Sequence, residues 1–281
     1  MRPQNGIYHP IKSSYRMSVS YENKDDQLKI QVFRNREEMG EAAAELAAAK
    51  IAGLLQQQET VNIIFAAAAS QNEFLAALVK KPVDWSRVNA FHMDEYIGLP
   101  EGAPQHFSVF LRERIFDKVP FRNVFLINGS APDPEQECAR YAALLEAYPA
   151  DITFMGIGEN THLAFNDPHM ADFNDPKLVK VVDLDIPCRQ QQVNEGCFPQ
   201  LSQVPVDAYT LTIPALLRAK AIYCMVPGKS KAAATYHTLT ADITEKYPST
   251  ILRTLPNAWL LLDADSAAQI DDIPMANAVN S

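Results

Sequence analysis

Cysteine is scarce in this chain and badly spaced for chemistry of its own. Cys138, Cys188, Cys197 and Cys224 form no CxxC pair, and the nearest two, Cys188 and Cys197, have no histidine partner in a zinc pattern. That excludes a zinc ribbon or a disulfide framework and leaves plain reduced thiols, as in a cytosolic protein. Basic residues are also in deficit, 25 Lys and Arg against 34 Asp and Glu for a formal net charge of −9. A general nucleic-acid binder needs clustered cations to neutralise phosphates, so no nucleic-acid partner is expected. A single small phosphorylated ligand is not excluded, since a few focused basic groups serve one phosphate on an acidic protein. No apolar stretch approaches the ~20 residues of a membrane span. The opening MRPQNGIYHPIKSSYRMSVSYENKDD lacks the apolar core of a signal peptide. No membrane partner is expected, and the expected compartment is the cytoplasm. Glycine is sparse too, and no complete G-x-G-x-x-G occurs, so a dinucleotide cradle is not expected either.

What is present is an alternation. At 281 residues, 47% of them hydrophobic, the chain is long enough for one large α/β domain or two smaller ones. Strand candidates are LKIQVF (28–33), VNIIFAAAA (61–69), RVNAFHM, NVFLI, DITFMG, LVKVVD, AIYCMV and AWLLLD. Between them lie helix candidates: REEMGEAAAELAAAKIAGLLQQQ, rich in strong helix formers, NEFLAALVKK, and DPEQECARYAALLEAY. In the last of these Asp133 and Pro134 suit an N-cap and a first turn. Strands apolar throughout and separated by helices predict an α/β fold, a mostly parallel sheet with helices on both faces. Residues 1–27 read as an N-terminal extension, 28–265 as one α/β domain and 266–281 as a tail.

Ligands of such sheets bind beyond the carboxyl ends of the strands, which selects four segments. MDEYIGLP (93–100) places Asp94 and Glu95 where a strand runs out. A shielded carboxylate there can rise toward the range useful to a general base, or it can merely cap a turn. VPGKSKAAATYHTL (226–239) reads as a strand end, a glycine turn and a helix start carrying Lys229 and Lys231, either an anion site or two solvated lysines. FAAAASQNEFLAAL (65–78) leads small residues into Ser70 and a helix, a second phosphate-loop candidate without glycine. GIGENTHLAFNDP (156–168) is the richest. Gly156 and Gly158 permit close backbone approach to a ligand, His162 exchanges protons near neutrality, and Asp167 can orient and charge-stabilise that ring. The alternative is a buried histidine bonded to backbone after a tight turn.

In this order, FHMDEYIGLP, GIGENTHLAFNDP, the arginine of DIPCRQQQ, VPVDAYTLTIPALLRAKAIYCMVPGKSKA and ILRTLPNAW resemble the glucosamine-6-phosphate deaminase/isomerase family, related in fold to 6-phosphogluconolactonase. The resemblance covers about residues 28–265. It implies a Rossmann-like fold, an aldose-to-ketose rearrangement of a phosphorylated amino sugar, and no metal or organic cofactor. By position, Asp94 matches the base that moves the C2 proton to C1, and His162 with Asp167 matches the ring-opening pair. Lys231, Arg189 and Ser70 match phosphate contacts. The departures are Ala68 and Ala69 in the phosphate loop, Phe107 for a tyrosine, Asp167 for a glutamate, and Asn160 for an aspartate that supports the histidine. A neutral amide cannot stabilise an imidazolium as a carboxylate does, so the resemblance predicts a more easily deprotonated His162. The expected partner is a small phosphorylated sugar, glucosamine 6-phosphate or a relative. A lactone hydrolase and a catalytically silent sugar-phosphate binder stand as alternatives, and the sequence leaves a homo-oligomer open.

Overall fold

The computed structural model describes residues 19–21 and 27–270. In chain order its elements are β1 (Val19–Tyr21), β2 (Lys29–Phe33), α1 (Arg36–Leu55), β3 (Val61–Phe65), α2 (Asn72–Leu78), β4 (Val88–His92), β5 (Asp94–Tyr96) and α3 (Phe107–Leu111). There follow β6 (Asn123–Phe125), α4 (Pro134–Ala147), β7 (Ile152–Met155), β8 (Val179–Asp183), α5 (Ile186–Asn194), β9 (Asp207–Leu211), α6 (Ile213–Leu217), β10 (Ala221–Val226), α7 (Ala232–Thr240) and β11 (Ala258–Asp263). Helix starts follow local capping chemistry. Asn35 accepts from the Glu38 amide at the head of α1, and Asp133 accepts from Glu135 and Gln136 at the head of α4, with Pro134 in the first turn as expected.

The main sheet runs β1-β2-β11-β10-β7-β3-β4-β6. Every neighbouring pair is parallel except β1 with β2, where Val19–Tyr21 lie antiparallel to Ile30–Val32. Part of the segment read as an extension therefore adds an edge strand, and residues 1–18 and 22–26 lie outside the described residues. At the other end, Ser266 and Ile270 are buried, so the first residues of the expected tail pack on the domain, and 271–281 lie outside the described residues.

Two cores form because successive strand residues face opposite ways. Ile63, Phe65, Phe154, Tyr223 and Met225 point to the face covered by α1 and α2, where Ala43, Ala47 and Phe74 meet them. Ile64, Met155, Ile222, Cys224 and Leu262 point to the face covered by α4, α6 and α7, against Tyr141, Leu216 and Leu239.

Three local expectations differ from the structure. The strand read over 61–69 ends at Phe65, and the alanines after it, weak strand formers, leave the sheet into a short turn of 3-10 helix at Ala69–Gln71. LVKVVD does not join the parallel sheet. As β8 it pairs antiparallel with β9, and β9 pairs antiparallel with β5, making a second, three-stranded sheet. Lys180 and Asp183 break its apolar run, and a strand with one polar face suits an antiparallel setting. MDEY, read as the loop beyond β4, is itself the edge strand β5 of that sheet.

A candidate acid-base site at the carboxyl edge of the sheet

The chain fills the sheet outward in one direction from β3 through β4 to β6, and in the other from β7 through β10 to β11. Strand order thus reverses between β3 and β7, and that reversal opens a crevice at the carboxyl ends. A cavity of about 590 Å³ lies there, and all four selected segments reach it: Ala66–Ser70 after β3, Met93 and Asp94 after β4, Gly156–Gly158 after β7, and Pro227, Gly228, Ser230 and Lys231 after β10.

Asp94 lines the cavity while only 7% exposed, and its Oδ1 has no hydrogen-bond partner among the described residues. Burial pushes its carboxyl well above the usual carboxylate range, and the charge of Glu95 adds to the effect. Glu95 faces the other way and fares oppositely. Burial alone would raise it, but the His106 imidazole 3.2 Å away and the Ser108 amide at 3.0 Å hold it below its ordinary value, and the Phe107 amide also donates to it at 3.0 Å. Glu95 is thus the ionised anchor of the start of α3, and Asp94 beside it is a carboxyl that prefers its proton. Two adjacent carboxyls pushed apart in this way take different acid-base roles. Beneath them His92 accepts a hydrogen bond from the Ile127 amide at 2.8 Å, and burial lowers its pKa to about 4, so it stays neutral.

His162 stands on a contorted loop. Thr161 and Ala164, which flank it, have φ of 71° and 51°, a region that side chains other than glycine's rarely enter. Such strain persists where the surroundings over-determine it, and it clusters at functional sites. Here His162 Nδ1 lies 2.9 Å from Asp167 Oδ1, off the line of a straight hydrogen bond. Asp167 is fully buried. Burial would raise it, but the imidazole first, then the Asn160 amide and the Asp185 backbone hold it below the carboxylate range. The hydrogen bonds of the Asn160 side chain go to carboxylates and backbone. Its Nδ2 donates to Asp167 Oδ1 at 2.9 Å and toward Asp185 Oδ2 at 3.4 Å, while its Oδ1 accepts from the His162 amide at 3.1 Å. Asn160, expected to stand in place of an aspartate that supports the histidine, thus hydrogen-bonds to the carboxylate and to the His162 backbone.

The two glycines have partners of their own. A Cβ on Gly158 would sit 2.2 Å from His162 Nε2, so it is the catalytic-looking ring, not only a ligand, that needs the bare backbone. A Cβ on Gly156 would crowd Ser70 Oγ at 3.0 Å, which brings the β3 and β7 loops together.

At the other wall Lys231 is buried and faces Glu195 across 3.8 Å, and both line the cavity. Burial lowers the lysine's pKa, with Glu195 and Glu159 opposing. Glu195 is held in turn by Gln191 Nε2 at 2.7 Å. Ser70 lines the cavity as expected, but Arg189 does not: its Nη2 donates to the carbonyls of Leu201 and Val204, both at 2.9 Å. In this structure Arg189 ties down the segment after α5 instead of facing the cavity, because two backbone acceptors saturate that nitrogen. Two cations that line the cavity were not among the sequence candidates. Arg36, paired with Glu73, sits just past the carboxyl end of β2, where the strand-end rule points. Arg114 lies in a π-helical turn after α3, over the Phe110 ring, and no local signal marks it. Phe107 is the first residue of α3 and lines the cavity, stacked on Phe165.

Comparison with known proteins agrees with this architecture. Residues 34–259 match the model of the family described as glucosamine-6-phosphate isomerases/6-phosphogluconolactonase. A glucosamine-6-phosphate deaminase of Bacillus cereus (strain B4264) is 33% identical over 239 residues, 85% of this chain and 88% of the relative. One from Streptococcus sanguinis (strain SK36) is 34% identical over 85% of this chain and 97% of its own. Among solved structures, a monomeric glucosamine-6-phosphate deaminase superposes with a TM-score of 0.78 at 27% identity, covering 85% of this chain and 98% of that one. The 6-phosphogluconolactonase of Thermotoga maritima, at 19% identity and a TM-score of 0.68 over 83% of this chain and 98% of its own, shares the fold. No helix among the described residues is long and apolar enough to cross a membrane.

Proposed function

The chain belongs to the glucosamine-6-phosphate isomerase/6-phosphogluconolactonase family, and from that premise we propose that it is an isomerising deaminase of an amino-sugar phosphate, glucosamine 6-phosphate or a close relative. The observation that carries the proposal is the pairing, on one cavity, of a buried carboxyl with an unpartnered oxygen, Asp94, and an imidazole backed by an ionised carboxylate, His162 with Asp167.

Each group has a task that its surroundings suit. His162 relays the proton between the ring oxygen and the C1 hydroxyl as the sugar opens, and Asp167 stabilises the imidazolium that forms in passing. Asp94, once ionised, takes the C2 proton of the open chain and returns it to C1. The group that burial makes reluctant to lose its proton is by the same measure a strong base when it has lost it. As the C2 amine becomes a ketimine, one of its protons passes to the C1 oxygen, which becomes a hydroxyl; water then adds to C2 and ammonia leaves, giving the ketose phosphate. Lys231 and Ser70 hold the phosphate, with Gly156 and Gly158 keeping the loop backbone close; a dianion there displaces Glu195 from Lys231. Arg189 is a phosphate contact only after the segment bearing Leu201 and Val204 releases it. The chemistry asks for no metal or organic cofactor.

The test is to incubate the protein separately with glucosamine 6-phosphate and galactosamine 6-phosphate and follow ammonia and ketose phosphate. Release of both products in equal amounts from either sugar is expected. No release from any amino-sugar phosphate, with 6-phosphogluconolactone consumed above its spontaneous rate, assigns the chain to lactone hydrolysis instead. Binding of phosphosugar with no turnover of either kind makes it a silent binder.

A further inference from the structure

Cys188 occupies the first turn of α5 and is 1% exposed. Its Sγ, a ring nitrogen of His162 and a carboxylate oxygen of Asp167 all lie within 4.8 Å of one another. The three residues are buried, and they come from two separate stretches of chain, the 156–168 loop and α5, so no cysteine spacing in the sequence reports them. Imidazole, carboxylate and thiolate together are a donor set that suits zinc, and three protein ligands leave one position open. Zinc–ligand bonds of ~2.0–2.3 Å place tetrahedral ligand atoms about 3.5 Å apart, so the cluster closes on an ion with side-chain shifts of roughly 1 Å.

We propose that His162, Asp167 and Cys188 form a zinc-binding site, and that an ion there silences the proton relay of His162. The second half rests on the deaminase reading above; the first does not.

The surroundings are built to hold such a set. Asp167 is positioned by the Asn160 amide and the Asp185 backbone, and Asp185 Oδ1 accepts from the Cys188 amide at 2.7 Å, which fixes the cysteine relative to the carboxylate. Outer partners of this kind orient metal ligands. Charge also balances: the two positive charges of the ion meet one carboxylate and one thiolate, with His162 binding as neutral imidazole. Before the ion arrives Cys188 is a thiol, as an ordinary cysteine is below a pKa of ~8.5. As the Zn–S bond forms, the S–H proton passes to solvent, one proton per ion; nothing is oxidised or reduced. A second group of potential ligands, Asp167, His169 and Asp185, shares one residue with the first but has no thiol, and its His169 is exposed and paired with Asp183. The thiol is what singles out the first group.

The experiment uses the full chain, stripped with a chelator and titrated with Zn2+ by calorimetry in buffers of different ionisation enthalpy, and separately with Co2+ by absorbance. Expected are one ion bound per chain, about one proton released, and the near-ultraviolet charge-transfer band of a Co2+–thiolate bond. Cys188→Ser removes the band and weakens Zn2+ by more than ~10-fold, the least that loss of even an outer partner costs. Cys197→Ser, which changes the exposed cysteine at the cavity wall, leaves both unchanged. A Co2+ complex without the thiolate band, or a band that survives in Cys188→Ser and disappears in Cys197→Ser, overturns the site. These readouts do not use turnover, so they stand if no amino sugar is deaminated. With turnover in hand, Zn2+ inhibits the wild type, and Cys188→Ser needs at least ~10-fold more zinc for the same inhibition. Equal inhibition of the two overturns the link to the relay.

Discussion

Adding one methyl group at Gly158 tests the site without replacing any group that handles a proton. A Cβ built there falls 2.2 Å from His162 Nε2, while ordinary contact begins near 3.4 Å, so the ring must retreat by about 1.2 Å. Gly158 does not occupy the left-handed backbone region, so alanine adds no strain of its own there. The displacement therefore falls on the imidazole and on its 2.9 Å contact with Asp167. Misplacing a reacting group by about 1 Å costs on the order of 10²-fold in rate. Removing a general acid-base group altogether costs ~10²–10⁴-fold. Gly158→Ala is thus expected to lower kcat for ammonia release about 100-fold while the protein still binds sugar phosphate. The decisive measurement is the double variant. If the methyl acts through the ring, Gly158→Ala adds nothing to His162→Ala, and the pair behaves as His162→Ala alone. Full additivity, or a Gly158→Ala enzyme with wild-type kcat, refutes the assignment of His162 to the relay.

Four other outcomes follow from the same geometry. Asp94→Asn abolishes C2 proton exchange with solvent deuterium, a loss of ~10²–10⁴-fold. It does not lower stability at neutral pH: the native carboxyl holds its proton above the unfolded value, so stability falls as pH rises from the ordinary aspartate pKa toward the raised one, and the amide removes that fall. Scanning thermal melts from pH 4 to 8 for both proteins checks the sign. The acid limb of kcat/KM belongs to Asp94 and lies above the ordinary carboxylate range of ~4, with activity lost as pH drops through it; a limb at ~4 or below contradicts the raised base. Glu195→Gln frees Lys231 from its partner at 3.8 Å and tightens inorganic phosphate by several-fold, whereas Lys231→Gln weakens it; calorimetry at low salt, where charge effects are largest, reads both. Asn160→Ala removes a hydrogen bond to a charged carboxylate and costs about 1.5–3 kcal/mol of stability, read from urea midpoints.

Much of the fold was legible because its signal is periodic and local. The largely apolar runs at 61–65, 88–92, 152–155 and 221–226 became buried parallel strands, and Asp133-Pro134 opened a helix. The four segments selected by the strand-end rule met at one cavity because sheet topology carries them there, independently of what each loop does next. What the sequence hid depends on contacts distant in the chain. MDEY looked like a loop because three residues give no period, and only Thr210, Tyr209 and Ala208 of β9 make them a strand. Arg189 looked like a phosphate ligand because its neighbours match a motif, while the two carbonyls that hold it come 12 and 15 residues later.

The unlike fates of Asp94 and Glu95 show why adjacent acids in a sequence cannot be assigned by inspection. Alternation along β5 sends the two side chains to opposite faces. Glu95 meets the two free amides at the start of α3 and an imidazole, three donors that reward its charge. Asp94 is buried at the cavity wall with one oxygen lacking a partner, and to that burial is added the charge its neighbour has kept. The ionised state of one carboxyl therefore helps to hold the proton on the other. Burial is the larger cause of the raised Asp94 and the charge on Glu95 reinforces it, while the helix start that satisfies Glu95 carries Phe107 to the cavity wall. A single step of strand geometry thus sets both the acid-base division and part of the shape of the chamber in which it operates.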